Sequence, residues 1–450
     1  MQKLTSRAKL LVIMALFPLV GAWGAECPSL LKNALLPVTE GSPLSWATEL
    51  TLKAGQHEYE GTNDAFNSEM ILGALEFKPA KEHRIYLEGG AKFWDRNDTK
   101  EFGSSTNASG GGGNSGGGQQ GSGSGNQHYG FREFFYEWSP SEQLLKLGLQ
   151  EMTAGDQLLL DERVLGGYGR YNINAFRAYA GVGTVSRDFS RMGNFCGSRH
   201  MYQPLDYYYR DEISNDLFKN NLAFLTFAWR PGKNSDGNNG DDFAPIAEPQ
   251  AVYYTLDEIG VMALEQFGSG FSNNATYASA FVRNTLPFQT TLQLEAIAQF
   301  ENSTMRPAYS IKAAKSFDWD TIGLTALNGG YIIAPGNDAE MRFAPEFANL
   351  FIGEALKLDA VDVPLYYGSI FHMVPFAWPV YCGVTYVSQI EDDKANELDV
   401  EFGLSPRPDW MLAGIPILEH TTLRIIYSTV EANGLDGRLN AWRAEIRWAL

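Results

Sequence analysis

The segment Trp442-Arg-Ala-Glu-Ile-Arg-Trp-Ala-Leu450 alternates in polarity along its whole length. One set of alternate positions is apolar, and the other set carries Arg443, Glu445 and Arg447. Because successive side chains of a β-strand point to opposite faces, a period of two predicts a strand with one apolar and one charged face. The sequence therefore predicts a β-strand here that separates an apolar environment from water.

The same alternation recurs along the chain from residue 45 onward. In one segment the charged face contains Glu49 and Lys53, and in another it contains Arg84, Glu88 and Lys92. We count about 16–18 such segments of about ten residues each, which fit one closed sheet better than stacked sandwiches. The predicted fold is therefore all-β, a single transmembrane antiparallel β-barrel.

The predicted connections between strands alternate in length. Pro79–His83 and Ser139–Gln143 are short turns, whereas Asn97–Gln127 and Gly155–Asn172 are predicted to be long loops. Short periplasmic turns and long outer loops are typical of outer-membrane barrels. Residues 97–127 are dominated by Gly and Ser, so we expect a flexible outer loop there.

The N-terminal residues have the order of a secretory signal peptide. Basic residues at Lys3, Arg7 and Lys9 precede an apolar run, and small residues follow it. We expect a cleaved signal peptide over residues 1–25, a periplasmic segment over 26–44 and the barrel over 45–450. The expected location is the outer membrane of a Gram-negative bacterium.

Composition and motifs exclude several other classes of function. The formal net charge of −18 argues against a nucleic-acid partner. The three cysteines, Cys27, Cys196 and Cys382, form no Cys-x-x-Cys motif, and whether they form a bridge stays open. The six histidines lie in no hydrolase or zinc-protease motif. We therefore expect no enzyme activity, no catalytic site, no metal and no cofactor.

Three sequence blocks resemble the alginate export family of outer-membrane β-barrel porins. They read FREFFYEW over residues 131–138, LKLGLQEMTAGD over 145–156 and INAFRAYAGV over 173–182. The resemblance implies a barrel that works as a channel. By position it matches Arg132 to a basic residue of the family's positive pore lining, and it matches five further residues to family blocks: Gly148, Gln150, Gly155, Asp156 and Arg177.

Two departures from the family weaken the assignment to alginate. Leu149 stands where the family has Arg, and Glu151 stands where some members have a second pore arginine. An anionic polymer is attracted by fixed positive charge, so a glutamate there reverses the local sign of the charge.

The terminal strand resembles the signal that the barrel assembly machinery reads, although that signal usually ends in Phe or Trp rather than Leu450.

The residues predicted to line the pore are charged or polar positions on inward faces. They are Lys53, Arg84, Glu88, Lys92, Arg132, Glu133, Glu137, Gln150, Arg177 and Arg424. Adjacent residues of a regular strand point to opposite faces, so Arg132 and Glu133 both face the lumen only at a rim or a bulge. Glu151 shares a face with Leu149 and is predicted to face lipid unless a bulge shifts it.

The function predicted from these features is a passive channel, for small polar solutes or for an exported polysaccharide. The alternative is a barrel that encloses an outer-membrane multihaem cytochrome. The acidic excess favours cations. Expected partners are outer-membrane lipid, the barrel assembly machinery through the last strand, and periplasmic export or cytochrome proteins.

Overall fold

The computed structural model describes residues 31–39, 41–59, 62–96, 126–154, 158–186, 216–231, 255–270, 274–286, 290–319, 322–333, 351–352, 358–359, 364–374, 380–390, 395–404, 411–412, 415–416, 420–432 and 438–449. Within these ranges no helix is long and apolar enough to cross a membrane.

The chain enters the described part through a short helix, α1 (Leu31–Ala34), and a short strand, β1 (Leu36–Pro37). The next strands are β2 (Leu44–Tyr59), β3 (Thr62–Ala80), β4 (His83–Arg96), β5 (Asn126–Trp138), β6 (Leu144–Ala154), β7 (Leu160–Ile173), β8 (Phe176–Val185), β9 (Asn220–Trp229), β10 (Thr255–Phe267) and β11 (Ala275–Leu286).

The second half of the chain continues in the same way. Its strands are β12 (Thr290–Glu301), β13 (Thr304–Asp318), β14 (Leu324–Ile333), β15 (Phe351–Ile352), β16 (Leu358–Asp359), β17 (Leu365–Val374), β18 (Val380–Gln389), β19 (Ala395–Leu404), β20 (Met411–Leu412), β21 (Ile415–Pro416), β22 (His420–Ala432) and β23 (Leu439–Ala449). The pairs β15–β16 and β20–β21 form two small separate sheets.

Eighteen long antiparallel strands close into one barrel. Each strand pairs with the next long strand in the chain, and β23 pairs with β2 from Glu49↔Ala449 to Glu58↔Asn440. An even strand number brings the beginning of β2 and the end of β23 to the same rim. The predicted all-β closed barrel is confirmed, and its strand number lies within the predicted range.

The alternation in sequence corresponds to the two faces of the wall. In β23 buried and more exposed residues alternate from Leu439 to Ala449. The exposed positions of the strands form an outer belt of large apolar side chains that includes Ile71, Phe227, Ile370, Phe402 and Ile425. A closed barrel satisfies its backbone hydrogen bonds internally, and an apolar outer belt suits contact with lipid.

The prediction of a long loop over Gly155–Asn172 is wrong. β7 occupies most of this range and pairs with β6 over residues 160–170 and with β8 over residues 164–173. The glycines of this segment indicated a loop, but Gly166 lies where a Cβ atom would overlap the backbone of Val182 and Gly183. Glycine therefore permits a close approach of two strands here.

Two of the short turns lie where the sequence places them. β3 and β4 are joined at Lys81 and Glu82, and β5 and β6 are joined by residues 139–143. Residues 97–125 of the predicted Gly/Ser-rich loop lie outside the described residues, and Asn126 and Gln127 begin β5. The predicted signal peptide also lies outside them.

The short helix α1 lies inside the barrel. Leu31 and Ala34 are buried in one cluster with Ala47, Tyr86 and Ala449, which are inward-facing residues of β2, β4 and β23. β1 pairs with the first residues of β2, at Leu36↔Trp46. The sequence predicted a periplasmic segment over residues 26–44, and the structure places α1 against the lumenal wall.

Candidate functional site

A β-bulge brings two adjacent charged residues to the inner face of β5. Glu88 pairs with Glu133, whereas the next residue, Gly89, pairs with Phe131, so Arg132 is the extra residue on β5. Both Arg132 and Glu133 are only 2% exposed. The extra residue shifts the alternation by one, which is the condition under which both side chains face inward.

Glu88 is the acceptor at the centre of the first charged cluster. The guanidinium of Arg132 donates a hydrogen bond to Glu88 Oε1 at 2.8 Å, and the hydroxyl of Tyr86 donates to Glu88 Oε2. Arg84 forms an ion pair with Glu76, and its guanidinium lies 4.9 Å from the centre of the Tyr86 ring. Arg84, Glu88 and Arg132 therefore share one side of the lumen.

Glu133 connects three separate parts of the chain. Its Oε1 atom lies 2.8 Å from Lys32 Nζ of α1 and 3.3 Å from an Arg163 guanidinium nitrogen of β7. Arg163 also donates to Glu151 Oε2 at 3.1 Å. The N-terminal helix, the wall strand β5 and the pair β6–β7 thus meet at one carboxylate.

The end of β6 and the beginning of β7 leave the wall of the barrel. β5 and β6 pair from Trp138↔Leu145 to Phe134↔Leu149, and the described pairing between them stops there. Gly148, at the end of this pairing, has a φ of 133°, a backbone conformation that L side chains rarely adopt. We call residues 150–154 and 160–163 the β6–β7 tip.

The position of the β6–β7 tip explains Glu151. By alternation Glu151 shares a face with Leu149 and was predicted to face lipid. In the structure it pairs with Arg163, which is 1% exposed and lies beside the inward-facing Glu133. Gln150 is buried between β6 and β7, where its amide is 3.4 Å from the carbonyl oxygens of Lys146 and Gly166.

A second charged cluster lines the wall where the barrel closes. Arg447 of β23 donates through Nε and a terminal nitrogen to Glu49 Oε1 of β2, at 3.1 and 2.9 Å. Lys53 lies 3.7 Å from Glu445. These contacts join the first and last long strands of the barrel across its lumenal face.

Arg424 extends this cluster to β19. Its guanidinium makes a two-point contact with the carboxylate of Glu401, at 2.6 and 2.9 Å. Such a bidentate geometry is among the stronger ion-pair arrangements in proteins.

The remaining predicted residues lie elsewhere on the strands. Glu137 pairs with Lys146 at 3.3 Å, and this contact joins β5 to β6 below the β6–β7 tip. Arg177 of β8 donates to Asn172 at 3.1 Å and to the hydroxyl of Tyr179. Lys92 lies in β4, but its side chain is outside the described part of the chain.

Sequence reasoning missed Lys32 and Arg163. Lys32 lies in the segment predicted to be periplasmic, and Arg163 lies in the range predicted to be a loop. A charged side chain in a membrane strand is expensive on the lipid side. By alternation, Glu151 and Arg163 occupy lipid-side positions of neighbouring strands. Because unpaired charges are costly there, the sequence could have indicated that these two residues form an ion pair.

Aromatic rings lie flat against the inner wall over glycines of the neighbouring strand. In each case the glycine is the direct cross-strand partner of the aromatic residue, and a Cβ atom would overlap the ring. The pairs are Gly181 with Phe224, Gly260 with Phe281, Gly330 with Tyr367, Gly383 with Phe371 and Gly403 with Tyr381. The missing side chain of each glycine makes room for a ring that would otherwise extend into the lumen.

Among the described residues no group of His, Cys, Asp and Glu is arranged to hold a metal ion. Cys382 is a free, exposed cysteine on β18. Cys27 and Cys196 lie outside the described residues, so the question of a bridge between them stays open.

The structure resembles a set of solved barrels at low sequence identity. It matches Pseudomonas aeruginosa OccK9 (OpdG) with a TM-score of 0.51 and 11% identity, over 90% of this chain and 98% of that chain. It matches P. aeruginosa OccK2 (OpdF), solved in complex with glucuronate, with a TM-score of 0.51 and 11% identity, over 90% and 96%. It matches Acinetobacter baumannii OccAB1 with a TM-score of 0.50 and 10% identity, over 93% and 99%.

The chain has the fold of the outer-membrane porins. This fold and the apolar outer belt agree with the predicted location in an outer membrane. No family model matches the sequence. No curated protein matches it either. The resemblance to the alginate export family therefore gains no support beyond the barrel itself.

Proposed function

We propose that this protein is a passive channel for small polar solutes in the outer membrane of a Gram-negative bacterium. The observation that carries the proposal is the charged inner wall of a closed barrel with an apolar outer belt. The ion pairs Glu49–Arg447, Lys53–Glu445 and Arg424–Glu401 lie on that wall. Barrels of this strand number leave a lumen wide enough for water, so these groups border an aqueous path.

The charge arrangement of the wall supports small solutes rather than a long anionic polymer. The described lumenal arginines and lysines are mostly paired with carboxylates, as in the Glu88–Arg132 and Glu137–Lys146 contacts. Such pairs reduce the net positive field that would draw a polyanion through the barrel. Export of a polysaccharide therefore has less support than passage of small solutes.

One similar structure suggests a solute class for the test. P. aeruginosa OccK2 was solved in complex with glucuronate, a small carboxylated sugar. A two-sign wall offers hydrogen-bond donors and acceptors for hydroxyl and carboxylate groups. We therefore include glucuronate and neutral sugars among the test solutes, and we expect a mild preference for cations because acidic residues outnumber basic ones, 53 to 35.

The experiment is ion conduction in planar lipid bilayers, combined with swelling of liposomes in sugar solutions. Glu401→Gln removes one lumenal carboxylate and leaves Arg424 facing the lumen, so the reversal potential in a salt gradient should shift toward anion preference. Glu69→Gln is the matched control, because Glu69 lies on the exposed outer face of β3 and loses the same charge. The control should keep the reversal potential of the unchanged protein.

Purified barrel that folds in detergent but carries no current and admits no sugar would overturn the proposal. Equal shifts for Glu401→Gln and Glu69→Gln would show that the current does not pass through this lumen.

A barrel that encloses a cytochrome has no supporting observation. α1 lies on the lumenal face, in space that a second protein would need. Co-purification of a cytochrome with the barrel would favour that function instead.

Recognition of β23 by the barrel assembly machinery stays a prediction.

A further inference from the structure

We propose that Glu133 positions α1 and the β6–β7 tip inside the lumen, and thereby sets the size of solute that the barrel admits. The inference about size rests on the proposed channel function. The inference about position rests on described contacts and does not depend on conduction, and it has a separate test.

The first step is that α1 needs an external anchor. A four-residue helix has no stability of its own, because nucleating the first turn is unfavourable. Leu31 and Ala34 are buried against the lumenal wall, and Lys32 reaches Glu133 with a 2.8 Å contact. The ammonium of Lys32 also lies 5.7 Å from the centre of the Tyr86 ring. The buried apolar side chains of Leu31 and Ala34 and the charged group of Lys32 therefore hold α1 in place.

The second step is that the same carboxylate holds the β6–β7 tip. Arg163 is 1% exposed and lies 3.3 Å from Glu133 Oε1. The tip has no described pairing with β5 beyond Leu149. The contact between Arg163 and Glu133 therefore joins the tip to β5 in a region where no backbone hydrogen bonds between β5 and β6 are described.

The third step is the effect of removing the charge of Glu133. Lys32 and Arg163 approach the same oxygen atom, so without the carboxylate two like charges face each other. Arg163 keeps its contact with Glu151, whereas Lys32 loses its charged contact with β5 and faces the like charge of Arg163. We expect α1 to separate from the wall, while the tip loses its link to β5 but keeps the buried apolar contacts of Met152 and Leu160. The backbone ladders of the barrel should remain.

Glu137 supplies a matched control on the same strand. It faces the lumen four residues away from Glu133 and pairs with Lys146 at 3.3 Å. This contact joins two wall strands, so Glu137→Gln removes the same charge from the same strand without touching α1 or the tip.

The position of α1 is measured by cysteine labelling of the folded protein in detergent. Cys27, Cys196 and Cys382 are replaced by Ser, and Ala34→Cys provides a reporter at a site that is 3% exposed. Glu133→Gln should raise the rate of labelling by a membrane-impermeant maleimide about tenfold, because α1 loses a charged hydrogen bond and opens more often. Heat-modifiable migration on gels confirms that each variant is still a folded barrel.

Glu137→Gln should leave the labelling rate unchanged. An unchanged rate for Glu133→Gln would overturn the positioning role, and so would equal increases for both variants. These results do not depend on conduction.

The size limit is measured by conductance and by swelling assays with sugars of increasing size. Both variants lose one lumenal acid, so an electrostatic effect on conductance is common to them. Only Glu133→Gln should also admit larger neutral sugars. Faster labelling with an unchanged size limit would overturn the role in size selection and keep the positioning role. A folded protein that does not conduct would overturn the proposed channel function, while the labelling rates still decide the positioning role.

Discussion

The ion pair between Glu49 and Arg447 should contribute strongly to the closure of the barrel. It joins β2 to β23, the two strands at which the sheet closes on itself. The Glu49 side chain is fully buried and that of Arg447 is 7% exposed. Glu49→Gln keeps the size of the side chain and removes its charge, so it leaves Arg447 without this carboxylate.

The expected magnitude follows from burial. Breaking a buried pair by removing one partner costs about 3–5 kcal/mol. The lumen of a porin-like barrel contains water, which screens the remaining charge, so we take the lower end, about 3 kcal/mol.

An exposed ion pair, Glu431–Arg438, serves as the comparison for the cost of breaking the buried pair. Glu431 and Arg438 flank the connection between β22 and β23, and their side chains are 56% and 59% exposed. Exposed pairs contribute about 0–1 kcal/mol. Glu431→Gln should therefore cost at least about 2 kcal/mol less than Glu49→Gln, a difference of about thirtyfold in the unfolding equilibrium.

The assay is unfolding of the detergent-folded barrel in guanidinium chloride, followed by heat-modifiable migration and by circular dichroism. A double-mutant cycle with Arg447→Met separates the coupling between the two side chains from the cost of each substitution. If Glu49→Gln costs no more than Glu431→Gln, or if the cycle gives no coupling, the reasoning from burial is wrong.

Two further pairs of substitutions test the two faces of the wall. Gly403→Ala should cost about 1–3 kcal/mol by unfolding, because a Cβ atom would overlap the Tyr381 ring, whereas Gly73→Ala should be neutral or slightly stabilising because its Cβ atom would meet nothing within 4 Å. Equal costs would contradict the role assigned to the inward glycine. Ile370→Arg, in the middle of the outer face of β17, should cost about 2–4 kcal/mol, whereas Ile322→Arg in a rim turn should cost about 0–1 kcal/mol. A similar cost at both positions would contradict the lipid-facing belt.

The faces of single strands could be predicted from the sequence because they depend on local alternation. In β2 the predicted polar face, with Glu49 and Lys53, is the buried inner face, and Trp46 and Leu52 are exposed outside. The same alternation required either a rim position or a bulge for Arg132 and Glu133 to face the lumen together, and the structure has a bulge there.

Positions that depend on distant parts of the chain could not be predicted in this way. The entry of α1 into the lumen depends on a cluster that joins Leu31 to residues of β2, β4 and β23. No periodic pattern over residues 26–44 describes that contact. The glycines of β7 are ambiguous for a related reason, because a glycine that permits close approach of strands and a glycine that forms a loop look the same in sequence.

The β6–β7 tip shows what alternation alone does not predict and which additional signal in the sequence could have predicted it. Alternation assigns a side chain to a face of its own strand, but it does not say where that strand runs. Glu151 and Arg163 both lie on the lipid side of their strands by alternation, and they are cross-strand partners. An arginine on the lipid side costs about 2–4 kcal/mol at the midplane of the bilayer. Two opposite charges paired on the lipid side therefore indicate that the strands carrying them have left the wall, and here they lie against Glu133 in the lumen.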